Sequence, residues 1–126
     1  MDKAAFERWT DAYVKAWNSN DPEDIRALFT DDATYLTGPF DEPWQGIDRI
    51  VEQWIEEKDE PGTTEFRYEV IAADGDTGVV QGVTDYSVPP PPRTYGNIWV
   101  IRLTEDGRAS YYLEFYMLKR NEDQTG

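Results

Sequence analysis

The sequence contains no cysteine and no histidine. Without cysteine there is no disulfide, no thiol nucleophile and no cysteine-ligated zinc or iron–sulfur cluster. Without histidine there is no serine–histidine triad, no histidine-ligated haem and no imidazole base. Any catalysis rests on carboxylates, tyrosine, lysine, arginine or a bound cofactor. The expectation is chemistry with no metal and no cofactor. Lysine is scarce: Lys3, Lys15, Lys58 and Lys119 are all there is. Twelve basic residues face 26 acidic ones, for a formal charge of −14. An excess of that size repels polyanions and anionic lipid, which argues against nucleic acid and membrane surfaces as partners. It suits a protein kept soluble in high salt, and equally an ordinary acidic cytosolic one. Long hydrophobic runs are missing as well. Stretches such as Ile98 to Ile101 fall far short of a membrane span. Met1-Asp2-Lys3 leads directly into an amphipathic pattern with no apolar signal core, and no Asn-x-Ser/Thr sequon occurs. A soluble, cytoplasmic protein is expected.

What is present is enough for one domain. A chain of 126 residues buries about two-thirds of its unfolded surface and needs no staples. The domain is expected over residues 1–120, with a fraying tail over 121–126. Phe6, Trp9, Tyr13, Ala16 and Trp17 recur at three and four, the spacing of one helix face. Asn18-Ser19-Asn20 ends that helix. Asp21 is placed to cap a second, short helix with Pro22 at its first position and Ile25, Leu28 and Phe29 buried. Thr30-Asp31-Asp32 reads as a turn, Ala33 to Leu36 as a short strand, and Gly38 to Pro43 as a loop. A third helix opens at Gly46, with Ile47, Ile50, Val51, Trp54 and Ile55 on its apolar face. Pro61-Gly62 stops it.

Four strands are expected next: Thr64 to Ala72, Val79 to Val88, Tyr95 to Leu103 and Ala109 to Leu118. Asp74-Gly75-Asp76 and Glu105-Asp106-Gly107 are the turns. Helical spacing fills the first half and strand spacing the second, which argues α+β. The last two strands are apolar on both faces and must be covered twice. Three helices cover one face. A second copy of the chain is the economical cover for the other, so a homodimer through the outer sheet face is expected.

The order helix–helix–strand–helix–four strands resembles the cone-shaped nuclear transport factor two-like superfamily, and within it the SnoaL-like group. The resemblance spans about Phe6 to Lys119. It is carried by Tyr13 to Trp17 with Asp21, by Leu28-Phe29-Thr30-Asp31-Asp32-Ala33-Thr34-Tyr35, and by Pro39-Phe40-Asp41-Glu42-Pro43. Gly46 with Ile50 and Trp54, Asp106-Gly107-Arg108, and Glu114-Phe115-Tyr116 complete it. The look is closest to uncharacterised bacterial members with a Pro-Phe-Asp-Glu-Pro loop. It implies a curved, mostly antiparallel sheet wrapped around three N-terminal helices, enclosing an apolar pocket.

That group includes polyketide cyclases, ketosteroid isomerases and limonene epoxide hydrolases. The resemblance puts Tyr13 where the isomerases hold an oxygen donor and Thr37 where they hold their base. It puts Tyr35 and Thr37 where the hydrolases hold water. Asp85 and Glu114 fall on the two hydrolase acid positions, and Val83 replaces the arginine between them. Two carboxylates facing one apolar cavity share a proton, one becoming the acid and the other the base. The alternation of the strand leaves both its faces open, so Asp85 points inward or outward with equal logic.

The candidate catalytic set is therefore Asp85, Glu114 and Tyr35. Tyr13, Trp17, Thr37, Trp54, Trp99, Tyr112 and Tyr116 are the candidate substrate contacts. Five tryptophans, eight tyrosines and five phenylalanines are ample for a pocket that takes a planar, ring-shaped organic molecule. The leading reading is a cofactor-independent isomerase, cyclase or epoxide-hydrolase-type enzyme using carboxylate acid–base chemistry. The alternative is a non-catalytic metabolite-binding or protein-recognition dimer module. Asp74 to Gly78 has the look of a calcium loop but lacks the remaining ligands, and a hairpin explains it. Pro89 to Pro92 reads as a stiff loop at the pocket mouth in preference to a polyproline ligand.

Overall fold

The computed structural model describes residues 1–120; the expected tail at 121–126 lies outside the described residues. The elements are α1 (Lys3–Ser19), α2 (Pro22–Arg26), β1 (Phe29–Leu36), β2 (Trp44–Gln45), α3 (Ile47–Glu56), β3 (Thr64–Asp74), β4 (Thr77–Tyr86), β5 (Arg93–Leu103) and β6 (Ala109–Leu118). The six strands form one curved sheet in the order β2-β1-β6-β5-β4-β3. All neighbours are antiparallel except β1 and β6. This is the expected α+β cone, with three N-terminal helices against the concave face. No helix among the described residues is long and apolar enough to cross a membrane.

The helices start where the chemistry of their caps dictates. Asp2 caps α1 by accepting from the Ala5 N–H, and Asp21 caps α2 by accepting from the Glu23 N–H, with Pro22 in the first turn. Asn20 ends α1 in a left-handed conformation, φ 51°, which asparagine tolerates better than most residues. Its side chain then ties two other segments together. Nδ2 donates to the Asp59 carbonyl at 3.0 Å, and Oδ1 accepts from Trp54 Nε1 at 3.2 Å. The end of α1 is thereby fixed against α3 and the loop after it.

Two local expectations are corrected. Thr30-Asp31-Asp32 is not a turn but part of β1, where the register against β6 shifts between Phe29 and Thr34. The irregularity leaves Asp31 and Asp32 exposed while Phe29 and Ala33 stay buried, so the chain runs on as a strand. Phe29, expected on the second helix, instead opens β1; Trp44–Gln45, which follow the expected loop, pair with Thr34 and Tyr35 as a two-residue edge strand. The strands otherwise fall close to their expected limits, and the β3–β4 hairpin turns at Gly75, φ 60°.

Inner and outer faces separate cleanly. On β5 the buried alternates are Asn97, Trp99, Ile101 and Leu103; on β4 they are Gly78, Val80, Gly82 and Thr84. Small residues on β4 make room for large ones opposite. A Cβ at Gly78 would sit 2.4 Å from the Phe6 ring, and one at Gly82 2.5 Å from the Phe66 ring. Phe6, Trp9, Tyr13 and Ala16 of α1 lie on this floor, and α3 adds Ile50, Val51 and Trp54. The core is closed at the Leu103 end of β5 and opens toward its Arg93 end.

Candidate active site

At the open end lies a cavity of about 420 Å³. Its walls are mostly aromatic: Tyr13 and Trp17 from α1, Tyr35 from β1, Trp44 from β2, Trp54 from α3, and Trp99 from β5. Tyr112 lies beneath them, almost wholly buried. Its ring stacks on Tyr35 at 4.4 Å and on Tyr13 at 5.5 Å between centroids. The Tyr13 and Tyr35 hydroxyls are 2.7 Å apart. Two hydroxyls sharing one bond commit one proton and leave another to donate. Burial pushes the ionisation of Tyr13, Tyr35 and Tyr112 upward, and the negative charge of Glu114 adds to it. These phenols stay protonated near neutral pH and act as donors.

Three of the cavity tryptophans have their N–H groups already engaged. Trp17 donates to Asp59 Oδ2 at 2.9 Å, Trp54 to Asn20, and Trp99 to Glu114 Oε2 at 2.9 Å. Trp99 is itself held flat against Phe66, with centroids 4.9 Å apart and planes 10° from parallel.

Glu114 is the cavity's carboxylate on the strand floor, apart from Glu57 and Asp59 of the segment after α3. It sits directly across the ladder from Trp99. Its Oε2 accepts from Trp99 and, at 2.9 Å, from Asn97 Nδ2. Asn97 is in turn oriented by Thr84, whose hydroxyl donates to its amide oxygen at 2.8 Å. The buried threonine thus turns the amide nitrogen toward the acid. Oε1 makes no hydrogen bond among the described residues. Burial pushes the Glu114 carboxyl above its ordinary range, and the Trp99 and Asn97 donors hold part of that rise back. A carboxyl tuned upward, with one oxygen anchored and one free, is suited to take and return a proton.

Asp85 does not join it. Val80 and Thr84 are both buried on the inner face of β4, and alternation then turns Asp85 to the outside. There Thr94 donates to its Oδ1 at 2.6 Å and Arg67 Nη1 to its Oδ2 at 3.0 Å. These two contacts hold its carboxyl below the ordinary range. The expected pair of facing acids is not formed, and Asp85 serves as an outer-face link between β3, β4 and β5.

The other expected residues divide by depth. Tyr13, Trp17, Tyr35, Trp54, Trp99 and Glu114 line the cavity; Thr37 and Tyr116 line it toward the mouth. Thr37 donates to Asp41 Oδ2 at 2.8 Å and so ties the Pro-Phe-Asp-Glu-Pro loop to β1. Tyr112 is under the floor, not on the surface. Sequence reasoning missed Trp44, Asn97, Tyr86, Tyr95, Arg93 and the segment Glu57-Lys58-Asp59, all of which line the cavity. Asn97 had a signal: it is a lone amide in phase with Trp99 beside an apolar run. Trp44 had none, since its strand is two residues long.

A helix-lined cone with an aromatic cavity at one end is the arrangement of the nuclear transport factor two-like fold. The match of the SnoaL-like domain model to residues 10–112 is more specific, and this chain belongs to that family. Among solved structures it is similar to a ketosteroid isomerase-like protein from Erwinia carotovora atroseptica SCRI1043. That match has 21% identity and a TM-score of 0.66, over 91% of this chain and 95% of the other. It is also similar to an LEH-like epoxide hydrolase of M. tuberculosis, with 17% identity and a TM-score of 0.68, over 91% and 84%. At these identities the likeness is one of fold. No curated protein sequence matches the chain.

Proposed function

We propose that this protein is a cofactor-independent enzyme that moves a proton on a planar, ring-shaped carbonyl compound, as an isomerase or cyclase. Glu114 is the base and then the acid, and the Tyr13–Tyr35 pair holds the carbonyl oxygen. The supporting observation is the placement of a buried carboxylate with one free oxygen in the same aromatic cavity as a hydroxyl pair that retains a donor. Glu114 Oε1 removes a proton from the carbon next to the carbonyl. The electron pair moves onto the oxygen, where the tyrosine donor stabilises it. Glu114 then returns the proton to a different carbon. Hydration by two cooperating acids loses its support with Asp85 on the outer face.

The test needs no known substrate. Cyclic ketones in heavy water exchange the protons next to the carbonyl when such a base acts on them, and nuclear magnetic resonance reads the rate. The wild type is expected to accelerate exchange, and Glu114→Gln to reduce it by about 10²-fold or more. Equal rates in the two proteins overturn the assignment. Ring compounds that bind with no exchange in the wild type favour the non-catalytic binding reading.

The proposed partner is a second copy of the chain, seated on the outer sheet face, and the proposed location is the cytoplasm. Support for the dimer comes from the apolar alternates of that face: Val83, Ile98, Val100, Leu113, Phe115 and Met117. Met117 is 77% exposed and the neighbouring Phe40 fully so. Apolar side chains of this size, gathered on one face, mark an interaction surface.

A further inference from the structure

Arg93 opens β5 and lines the same cavity as Glu114, toward its mouth. In a chain with 26 acids and 12 bases, four of the eight arginines pair with a carboxylate among the described residues. Arg26, Arg49, Arg67 and Arg108 each have one within 4.0 Å. Arg93 has none among the described residues. Its carbon Cζ lies 5.3 Å from the centroid of the Tyr86 ring, and Nη2 donates to the Val88 carbonyl at 3.1 Å. Nε is buried with no hydrogen-bond partner. A guanidinium carries five N–H donors in a rigid fork that matches a carboxylate. Here it is fixed by one bond and one aromatic face, and most of its donors remain unspent.

We infer that Arg93 is the anchor for an anionic group on the ligand, and that the ligand is a ring compound bearing a carboxylate remote from its reacting carbon. This rests on the cavity being the substrate site proposed above. The layout sets the ligand's form. From Trp99, which holds Glu114, to Arg93 the strand runs about 20 Å at the usual rise, and the side chains close part of that distance. A ring compound with its carboxylate at the end away from the reacting carbon matches the order of these two residues along the cavity. Glu57 and Asp59 line the same cavity and repel such a group, while Lys58 and Arg93 are the cations that line it. An ammonium ligand drawn by those acids is the competing chemistry, and the test separates the two.

The experiment is isothermal titration calorimetry with three probes of one size: naphthalene-2-carboxylate, naphthalene-2-carboxamide and 2-naphthylmethylammonium. The wild type is expected to bind the carboxylate about tenfold or more tightly than the carboxamide. In Arg93→Gln that ratio is expected to fall to near one. Equal affinities in the wild type, tightest binding of the ammonium, or no carboxylate binding at millimolar concentration overturns the inference. So does a preference that survives Arg93→Gln. If that variant fails to fold, Arg93→Lys carries the test, since lysine keeps the charge but loses the fork. Its preference is expected to drop severalfold, and an unchanged one overturns the inference. The readout is binding, so failure here leaves the Glu114 exchange result standing, and the reverse also holds.

Discussion

Burying Glu114 in the cavity costs stability at neutral pH. Its carboxyl is raised by burial, so the folded state holds this proton more tightly than the unfolded chain does. The sign follows directly. Below the ordinary glutamate range both states are protonated and nothing is lost. As pH rises through the window between the ordinary value and the raised folded one, the unfolded chain gains by ionising first and stability falls. Glutamine cannot ionise, and its amide oxygen can still accept from Asn97 and Trp99. Glu114→Gln is therefore expected to melt at a higher temperature than the wild type at pH 7 to 8, with the gap closing toward pH 4. Thermal melts across that range check this. A wild type that melts higher at neutral pH would show the carboxylate to be stabilising. The family resemblance of the sequence reached Glu114, Tyr13 and Tyr35, and the apolar neighbours of Glu114 on its strand agreed with it. It did not reach Arg93, whose missing partner is visible only once its neighbours in space are known.

At the scale of elements, the candidate site depends on how β3, β4 and β5 interlock. Gly82 of β4 leaves the space that the Phe66 ring fills, Phe66 stacks on Trp99, and Trp99 holds Glu114. A methyl at position 82 would lie 2.5 Å from that ring and must displace it. Gly82→Ala is expected to cost about 1–3 kcal/mol by overpacking. It should also lower Glu114-dependent exchange, because the ring that steadies the acid's donor has moved. Denaturant titration and the exchange assay measure the two effects, and a stable variant with unchanged exchange would refute the coupling. Helix spacing and turn chemistry made α1, α2, α3 and the hairpins legible. The inward face of β4 was not, since Val79 and Val83 on one side look as apolar as Val80 and Thr84 on the other. Phe6 and Phe66, packing over Gly78 and Gly82, decide which side faces the core.

For the molecule as a whole, the proposed dimer rests on the outer sheet face. If a second copy covers it, light scattering on the eluting peak should give twice the chain mass of 14.6 kDa. Replacing both Phe115 and Met117 with glutamate puts charge into that apolar contact, and the mass should fall to that of one chain. A wild type that elutes as a single chain sinks the dimer. The cavity lies on the opposite, concave face, so the monomeric variant is expected to keep its proton-exchange activity.

The sequence by itself determined the class of fold and excluded whole chemistries. Periodicity, caps and turns are local, and the absence of cysteine and histidine is absolute. It also determined that an aromatic pocket was available and that Glu114 was a candidate acid. Only the tertiary structure decided which of Asp85 and Glu114 faces the cavity, that Asn97 and Thr84 orient Glu114, and that Arg93 lines the same cavity with no ion-pair partner among the described residues. Each of those depends on side chains brought together from separate strands. The separation in the chain and the two-fold alternation of a strand carry no record of that meeting.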